Sequence, residues 1–516
     1  MVRLQLKHIG IAVCALCCIL SCGDIMHKPT EAELSAFGTY VYELDTALMQ
    51  RGLKQALAGS TDTWVGDGAV RHHYADADSF ELAPLWFTRM GVSDEADSLL
   101  AYLRRELPAN GLDTAAFLVP QIAADLAVVQ ELSFDSLGID INELLPRLDY
   151  NLSKAYMRYV IGMRYGFVRP GRLLNHLDYR ADRQEYARLF DYKTVAPSDS
   201  EAIIKLVSED RMDYLTASIL DDDIYTALQQ RLVATTDTSE RRTLAINMER
   251  CRWQMARPQD GERMVLVNLP AQQLWATCAD STVDMRICCG AVTTKTPLLH
   301  SQLSYLQVNP DWIIPQSIIK GEVAAHAGDS AYFARHRYYI VDRNSGDTLK
   351  ATSVTQEQMR VGRVRVGQYG GPGNSLGRIV FRFPNDFAVY LHDTNNPSAF
   401  NRDRRTLSHG CIRVQKPFEL AQFLMPNADE WTMDKLRISM DIEPLTEQGR
   451  QYLSDHADDT PPHRLIKYRD IVPQIPIYII YYTAYPNPAT AEVELWPDIY
   501  GYDKVIGTAI GSLIIK

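Results

Sequence analysis

The sequence predicts an α+β protein in which an all-helical N-terminal domain precedes a mainly β domain that carries an inserted lid and a C-terminal extension. Two observations predict this order. From about Glu31 to Trp253, apolar residues recur at spacings of three and four, the period of an amphipathic helix. Near Met264 the period falls to two, and Val, Ile and aromatic residues become frequent, as in β-strands. At 516 residues the chain is long enough for several domains.

Composition and charge narrow the class of protein. Apolar residues make up 46% of the chain and charged residues 23%, as in folded globular proteins. The 64 acidic residues outnumber the 53 Lys and Arg and give a net charge of −11. Such a chain has no global positive field to attract nucleic acid. We therefore expect no nucleic-acid partner.

The first 22 residues have the pattern of an export signal. Arg3 and Lys7 precede an apolar stretch, Ile9–Leu20, which is too short to span a membrane. The tetrapeptide ending at Cys22 resembles a bacterial lipobox, so residues 1–22 are expected to be a signal peptide and Cys22 a lipidation site. This predicts a periplasmic protein of the cell envelope, anchored to a membrane by lipid. An ordinary cleaved signal peptide and a retained apolar anchor are the alternatives.

The helical domain is expected to cover residues 23–262. Its clearest helix is Leu148–Met163, where apolar and tyrosine side chains recur at three and four with Lys and Arg between them. This pattern predicts one buried stripe. Gly166 and Pro170 should end the helix. Further helical stretches are expected near residues 99–107, 202–209 and 244–251.

The β domain is expected to cover residues 263–450 and to contain two hairpins. The first joins Met264–Leu269 to Leu274–Thr277. The second joins Ile379–Phe383 to Phe387–His392 through a Pro-Asn-Asp turn. Because side chains alternate along a strand, His392 shares a face with Tyr390 and stands at the strand's end, where a site can open.

Two further segments complete the predicted β domain. Residues 322–370 are polar and irregular in pattern, which predicts a lid-like insertion. Residues 451–516 contain a Val/Ile/Tyr run, Ile475–Tyr485, and an aromatic segment, Trp496–Tyr502. We expect them to form extra strands that pack on the same domain.

The chemistry is predicted by His392 and, nineteen residues later, Cys411 within Ser408–Val414. A thiol attacks a carbonyl as the thiolate, and an imidazole supplies the base. Gly410 permits a tight turn that aims backbone amides at a developing oxyanion. Pro417 begins a helix after the nucleophile, so the thiol is predicted to lie on a constrained turn.

Removal of the leader would leave five cysteines, so at least one thiol is unpaired. Cys288 and Cys289 are expected to occupy buried strand positions, or one of them to pair with Cys278, and Cys251 is expected to be buried. For Cys411 the alternatives are a small buried hydrophobe or, with His392 and His409, a zinc ligand that lacks an obvious fourth partner.

Other polar residues have plainer interpretations. A solvated turn is favoured over a metal site for His72, His73 and Asp76, and surface placement is favoured for His326 and His336. Arg402, Arg404 and Arg405 are equally open to two interpretations, exposed charge or contact with a substrate carboxylate.

His392 with Ser408-His409-Gly410-Cys411-Ile412-Arg413 resembles the signature of the L,D-transpeptidases, the YkuD-type peptidoglycan enzymes. The larger subgroup with an N-terminal helical scaffold domain is similar in four further segments: Asn309–Pro315, Gly371–Arg378, Tyr390–Thr394 and Leu148–Pro170. Together these segments are spread over most of the chain. A separate three-helix peptidoglycan-binding insertion, frequent in that subgroup, is not recognisable.

The resemblance implies that Cys411 is the nucleophile and His392 its base. The backbone of Ser408 would orient the imidazole, and the amides of His409, Gly410 and Cys411 would form the oxyanion hole. Arg413 would shape the site or bind a substrate carboxylate. Tyr390, Trp312 and Asn374 are further predicted to line the donor groove.

The reaction implied is peptidoglycan cross-linking. A tetrapeptide stem loses its terminal D-Ala, the tripeptide is held on the thiol as a thioester, and an amine of a neighbouring stem resolves it to a 3→3 cross-link. We expect no metal or organic cofactor. One rival is a cysteine peptidase of wall peptides, although in papain-like hydrolases the Cys precedes the His. The other is a non-catalytic wall-binding lipoprotein that uses the helical half.

Overall fold

The computed structural model describes residues 2–4, 42–75, 84–88, 91–181, 184–259, 261–279, 281–458 and 463–515. Most of the predicted leader, including Ile9–Leu20 and Cys22, lies outside these ranges. The chain separates into two compact units. The helical unit comprises Met1–Arg169, Thr194–Met255 and Asp503–Lys516. The β unit comprises Pro170–Lys193 and Ala256–Tyr502. The predicted α+β class is confirmed.

The α-helices of the described residues are, in chain order, α1 (Thr46–Gly59), α2 (Asp67–Ala75), α3 (Asp94–Ala109), α4 (Val119–Glu131), α5 (Phe134–Leu137), α6 (Ile141–Tyr165), α7 (Pro170–Leu174), α8 (Asp199–Leu206), α9 (Arg211–Thr216), α10 (Asp223–Ala234), α11 (Thr238–Arg252), α12 (Gln316–Gly321), α13 (Ser330–Arg335), α14 (Gln356–Arg360), α15 (Pro417–Leu424), α16 (Glu430–Ser439), α17 (Glu447–Asp455) and α18 (Tyr502–Ala509). Short 3₁₀ turns lie at Thr114–Phe117, Val323–His326, Ala351–Ser353 and Pro397–Asn401. Among the described helices, none is both long and apolar enough to cross a bilayer.

The described strands are β1 (Val2–Leu4), β2 (Tyr42–Leu44), β3 (Phe87–Thr88), β4 (Gly91–Val92), β5 (Tyr179–Arg180), β6 (Glu185–Tyr186), β7 (Met264–Asn268), β8 (Gln273–Cys278), β9 (Ser281–Gly290), β10 (Leu299–Val308), β11 (Trp312–Ile313), β12 (Tyr338–Asp342), β13 (Thr348–Leu349), β14 (Val364–Gln368), β15 (Ile379–Arg382), β16 (Leu391–His392), β17 (Thr406–Ser408), β18 (Ile412–Val414), β19 (Tyr468–Ile480), β20 (Ala484–Pro486) and β21 (Val493–Leu495).

Nine strands form the main sheet of the β unit. Their order is β17-β9-β18-β16-β15-β10-β19-β7-β8, and β8 also pairs with β9, so the pairing closes into a ring. Strand β19 lies between β10 and β7, and Ile475–Ile480 of that strand are all buried. The C-terminal segment is therefore part of the central sheet rather than an extension packed on it, because consecutive apolar residues need cover on both faces.

The structure divides the chain differently from the predicted boundaries at 262 and 450. Pro170–Lys193 lies in the β unit, where Phe190 bridges Leu298. The last residues, Asp503–Lys516, lie in the helical unit, where Leu112 bridges Ile514. Such contacts join residues far apart in sequence, so no local sequence pattern predicts them.

Helix α6 is the core of the helical unit. Asp140 caps its first turn through a side-chain bond to the Asn142 amide, and Gly166 ends it as predicted. The expectation of a single buried stripe was incomplete, because Lys154 and Arg158 on the same helix are also buried. Both face Asp67, which is fully buried; Arg158 Nε lies 2.6 Å from it and Lys154 Nζ 3.7 Å. Ion pairing permits burial of these charges.

The predicted lid is a small folded body with its own core. Strands β11, β14, β12 and β13 form its sheet, so it begins at Trp312, ten residues before the predicted start. Buried aliphatic and aromatic side chains fill it, including Ile314, Ile319, Phe333 and Met359. At its base the Gly370 amide donates to Asp311 Oδ1 at 2.8 Å. Buried side chains thus hold the insertion in a defined fold, although its polar sequence predicted an irregular segment.

Candidate active site

Two parallel strands bring the predicted nucleophile and base onto one face of the sheet. In the β16–β18 pair, His392 is opposite Arg413. The Ile412 amide donates to the Tyr390 carbonyl at 3.1 Å, which places Cys411 beside Tyr390. Because side chains alternate, Cys411 and Arg413 share a face with Tyr390 and His392. The opposite face belongs to the core and carries the fully buried side chains of Leu391, Ile412 and Phe381.

Only part of the predicted second hairpin is regular strand. Pairing of β15 with β16 is limited to Val380 with His392 and Phe381 with Leu391. The preceding residues are held instead by Asn385, whose side chain bonds the amides of Phe387 and Val389. Ala388 has φ +54°. The chain therefore bends just before the site, and the Ala388 carbonyl is directed toward the thiol.

The Cys411 thiol is bonded to its neighbours on this face. Sγ donates to the Ala388 carbonyl at 3.8 Å and hydrogen-bonds with the Tyr390 hydroxyl, which in turn accepts from Trp312 of the insertion. Burial raises the pKa of Cys411, and hydrogen bonds from Tyr390 only partly oppose this. The thiol is therefore protonated at neutral pH.

His392 is a buried, neutral imidazole. Its side chain is 4% exposed, and burial, reinforced by the positive charge of Arg413, lowers the pKa of His392 to about 3. Nδ1 is buried and has no hydrogen-bond partner within the described residues. The sequence predicts an imidazole that ionises the thiol. Burial favours a neutral ring and a neutral thiol instead, since both charged forms would lose solvation.

Ser408 was expected to orient the imidazole through its backbone. Its carbonyl instead accepts from the Ala291 amide at 2.8 Å and from the Thr294 hydroxyl at 3.0 Å. Its own hydroxyl donates to the Cys411 carbonyl. Ser408 therefore fixes the loop that carries the nucleophile. Backbone groups of Asp393 and Leu376 act against the effect of burial and raise the pKa of His392.

Gly410 gives the nucleophile loop its shape. Its φ is +118°, and a Cβ there would meet nothing closer than 3.9 Å, so the backbone angle rather than space requires glycine. Its carbonyl accepts from Thr296 Oγ1 at 2.8 Å, and its amide donates to Ser408 Oγ at 3.2 Å. Of the three predicted oxyanion donors, the Gly410 amide is thus already engaged within the loop.

The turn after β9 supports this loop from behind. A Cβ on Gly290 would lie 2.2 Å from the Thr294 carbonyl, so the turn closes only around glycine. The Tyr500 hydroxyl donates to the Gly290 carbonyl at 2.7 Å, and the Gly290 amide donates to Thr296 Oγ1 at 2.9 Å. Thr294, Thr296 and Tyr500 could not be identified from the sequence, because nothing near them in sequence links them to Cys411.

Asn374, predicted to line the donor groove, is instead buried inside its own loop. It is 1% exposed, its Nδ2 donates to the Tyr369 carbonyl at 3.0 Å, and its Oδ1 accepts from the Leu376 amide at 2.8 Å. Since Leu376 contacts His392, Asn374 supports the imidazole indirectly, through Leu376. Its amide is used to hold the loop and does not face the thiol.

His409 lies outside the catalytic face and reaches the insertion. Its Nε2 is 3.1 Å from Glu322 Oε1, and both side chains are more than half exposed. Together with Trp312, which bonds Tyr390, this contact places the insertion against the nucleophile loop and against the tyrosine beside Cys411. The insertion therefore lies beside Cys411.

A guanidinium that the sequence analysis did not assign also lies on this face. Arg382 of β15 follows the pair Phe381–Leu391, so it is opposite Tyr390, and its Cζ lies 4.2 Å from the Tyr390 ring centre. The alternation Ile379, Phe381, Phe383 on the core face would have indicated this position.

Other candidates take structural positions. Arg405 is buried and donates to the carbonyls of Ile287 and Gln272, so it does not contact substrate. In the insertion, His326 stacks on Tyr332, and the His336 ring packs against Tyr332 at an angle of 42°. Cys278, Cys288, Cys289 and Cys411 are free thiols, and Cys251 is buried. No cluster of three or more His, Cys, Asp or Glu side chains among the described residues could hold a metal ion.

Comparison with known families gives two matches. Residues 262–438 match the YkuD model, described as an L,D-transpeptidase catalytic domain, and residues 69–232 match a model described as a Scaffold domain. A Haemophilus influenzae protein named "Putative L,D-transpeptidase" is 30% identical over 305 residues, 58% of this chain and 56% of that protein. The chain thus spans little more than half the length of this relative. The strands that carry His392 and Cys411 lie within the residues that match the L,D-transpeptidase catalytic domain, and the residues that match the Scaffold domain precede them in the chain.

Proposed function

We propose that this protein is a peptidoglycan L,D-transpeptidase that forms 3→3 cross-links through a thioester on Cys411. The observation that carries the proposal is the shared face of β16 and β18, where a free thiol stands among Tyr390, His392 and Arg413. The match of residues 262–438 to the L,D-transpeptidase catalytic domain supports the same chemistry. Peptidoglycan stem peptides are then the substrate.

Acylation begins from a neutral pair. Substrate binding releases Sγ from the Ala388 carbonyl, and rotation about the Cα–Cβ bond of Cys411 turns it toward His392, one diagonal step away on the same face. As Sγ bonds to the carbonyl carbon between residues three and four of the stem, its proton passes to the imidazole. General-base transfer of this kind avoids a buried ion pair before the substrate arrives.

The oxyanion that forms needs hydrogen-bond donors. The amides of His409 and Cys411 flank a loop held by Ser408, Thr294 and Thr296, and donors fixed in advance stabilise developing charge most. When the tetrahedral intermediate collapses, the C–N bond breaks, D-Ala leaves, and its amine takes the proton from His392. The tripeptide remains as a thioester on Cys411.

Resolution of the thioester sets the product. An amine of a second stem, the side chain of meso-diaminopimelate, loses a proton to neutral His392 and attacks the thioester carbonyl. The C–S bond breaks and the thiol is restored. Water in place of the amine would give a free tripeptide. The insertion, joined to the nucleophile loop through Glu322 and to Tyr390 through Trp312, favours transfer by limiting access of water.

We further propose that the protein works in the periplasm, anchored by lipid on Cys22. The support is the basic, apolar and small-residue pattern of residues 1–22. Globomycin, an inhibitor of lipoprotein signal cleavage, provides the test when applied to cells that express the chain. Accumulation of the uncleaved form, absent in Cys22→Ala, is expected. Identical mass with and without the inhibitor would contradict the anchor.

The enzymatic proposal is tested with purified protein, disaccharide tetrapeptide and mass spectrometry of the products. A cross-linked dimer that has lost one D-Ala is expected. Cys411→Ala should give no product, and Cys278→Ala serves as the matched control because that thiol lies on β8, away from β18. Free tripeptide as the main product would establish hydrolysis instead. No product from a wild-type protein that is folded would contradict the proposal.

A further inference from the structure

We propose that Arg382 is a substrate-binding residue which, together with Arg413, holds a carboxylate of the donor peptide. This inference rests on the proposed function and adds a specificity determinant to it. It follows from the placement on the catalytic face of two guanidinium groups whose Nε atoms are buried with no hydrogen-bond partner among the described residues.

The two arginines lie on either side of the reacting pair. Arg413 is opposite His392 on β18. Arg382, on β15, is opposite Tyr390, and Tyr390 bonds Cys411. Strands in a sheet are about 4.8 Å apart, so both side chains are long enough to reach a substrate held at Sγ. A cation therefore lies on each side of the thiol.

Neither cation is neutralised within the described residues. Neither forms an ion pair there, and the Nε atoms of both are buried without a hydrogen-bond partner. Buried donors are normally satisfied, and charged ones most of all, because an unmade bond is costly. Their positive charge also reaches the site, since Arg382 and Arg413 both favour the thiolate of Cys411 and disfavour protonation of His392.

The stack of Arg382 on Tyr390 keeps this charge in place. Its Cζ lies 4.2 Å from the ring centre, so the ring restrains the guanidinium by a cation–π contact. Nε is left unbonded, and the planar fork of donors suits a carboxylate bidentately. The ligand chemistry that fits is therefore a carboxylate, from either of two sources on the donor: the α-carboxylate of the terminal D-residue or the side-chain carboxylate of the third residue.

The test measures each enzyme variant with each modified donor. Acylation is measured as release of the terminal D-residue from three tetrapeptides: unmodified, amidated at the C-terminus, and amidated at the side-chain carboxylate of residue three. The enzymes are wild type, Arg382→Met, which keeps the apolar contact with Tyr390, and Arg382→Lys, which keeps the charge. Arg343→Met, at an exposed turn of the insertion, is the matched control.

If Arg382 binds a carboxylate, Arg382→Met lowers kcat/KM for the unmodified donor by about 10- to 100-fold. One of the two amidations lowers kcat/KM of the wild type by a similar factor. The same amidation lowers kcat/KM of Arg382→Met little further. Arg382→Lys recovers part of the loss, and Arg343→Met behaves as wild type. The amidated donor that shows this non-additivity identifies the carboxylate.

Two results would overturn the inference: unchanged kinetics in Arg382→Met, or penalties for both amidations as large in Arg382→Met as in wild type. If Arg382→Met does not fold, Arg382→Lys with the three donors decides in the same way. These outcomes are distinct from failure of the proposed function, in which wild type releases no D-residue from any donor.

Discussion

Charged side chains are buried in two regions of the molecule, and their hydrogen bonding differs between the two regions. In the helical unit, buried Asp67 accepts hydrogen bonds from Arg158 Nε at 2.6 Å and Nη2 at 2.9 Å, and from the Thr63 and Trp64 amides. On the catalytic face the Nε atoms of Arg382 and Arg413 and Nδ1 of His392 are buried and have no hydrogen-bond partner in the part of the chain that the structure describes.

The difference distinguishes structural from functional burial. A buried charge that is fully paired costs little once the fold has formed, whereas removal of its partner is strongly destabilising. Unpaired donors lower stability by themselves and persist where a ligand satisfies them. We therefore expect substitutions in the first region to change stability and substitutions in the second to change catalysis.

The largest effect is expected for His392→Gln. Loss of the general base should lower the rate of acylation about 10²- to 10⁴-fold, while the free energy of unfolding should change far less, because Nδ1 of the ring has no hydrogen-bond partner within the described residues. Stopped-flow acylation and urea denaturation measure the two quantities. A large fall in stability with a modest fall in rate would reverse the comparison.

The pH dependence of wild-type acylation sharpens the same contrast. Because the pKa of His392 is lowered to about 3 and that of Cys411 is raised, the neutral pair is the reactive form across the neutral range. Raising pH from 5 to 8 changes neither group, so kcat/KM for D-Ala release should be flat there and fall only as pH approaches 3. A thiolate–imidazolium pair would instead show an acid limb within that range.

The second largest effect is expected for Asp67→Ala. It leaves Arg158 and Lys154 buried without their carboxylate, which should lower the unfolding free energy of the helical unit by about 3–5 kcal/mol. Urea denaturation followed by circular dichroism measures it. Asp62→Ala, which breaks a partly exposed pair with Arg71, should cost no more than about 1 kcal/mol. Equal losses in the two variants would contradict the assignment.

The smallest effect is expected for Glu322→Gln. Its contact with His409 is exposed on both sides, so the unfolding free energy should not change measurably. If the contact helps hold the insertion near the nucleophile, the ratio of hydrolysis to transfer should rise about two- to threefold, given that exposed pairs contribute well under 1 kcal/mol. Glu357→Gln, on exposed helix α14 of the insertion, is the control. The same change in both variants would exclude a specific effect of Glu322.

Local patterns in the sequence predicted part of this architecture. Helix α6, its end at Gly166 and the hairpin of β7 and β8 follow from periodicity and turn residues, and the structure confirms them. Strand alternation also placed His392 on the face of Tyr390. The sequence could not indicate that β19 lies between β10 and β7, because pairing between distant segments leaves no local pattern.

The details of the site were harder to predict for the same reason. The turn residues Thr294 and Thr296 lie more than a hundred positions from the loop that they hold. Arginines with and without a bonding partner look alike in sequence, so the sequence indicated neither the burial of Arg158 on α6 nor a role for Arg382. Whether a charge has a partner becomes visible only in three dimensions.

Intact-mass spectrometry of the purified protein with tetrapeptide donor and no acceptor tests the central claim most directly. Acid quenching within the first turnover should reveal the protein heavier by one tripeptide acyl group, with peptide mapping locating it on Cys411 and hydroxylamine removing it. Donor that is turned over without any mass increase on wild type, or an adduct that persists in Cys411→Ala, would contradict a thioester on this thiol.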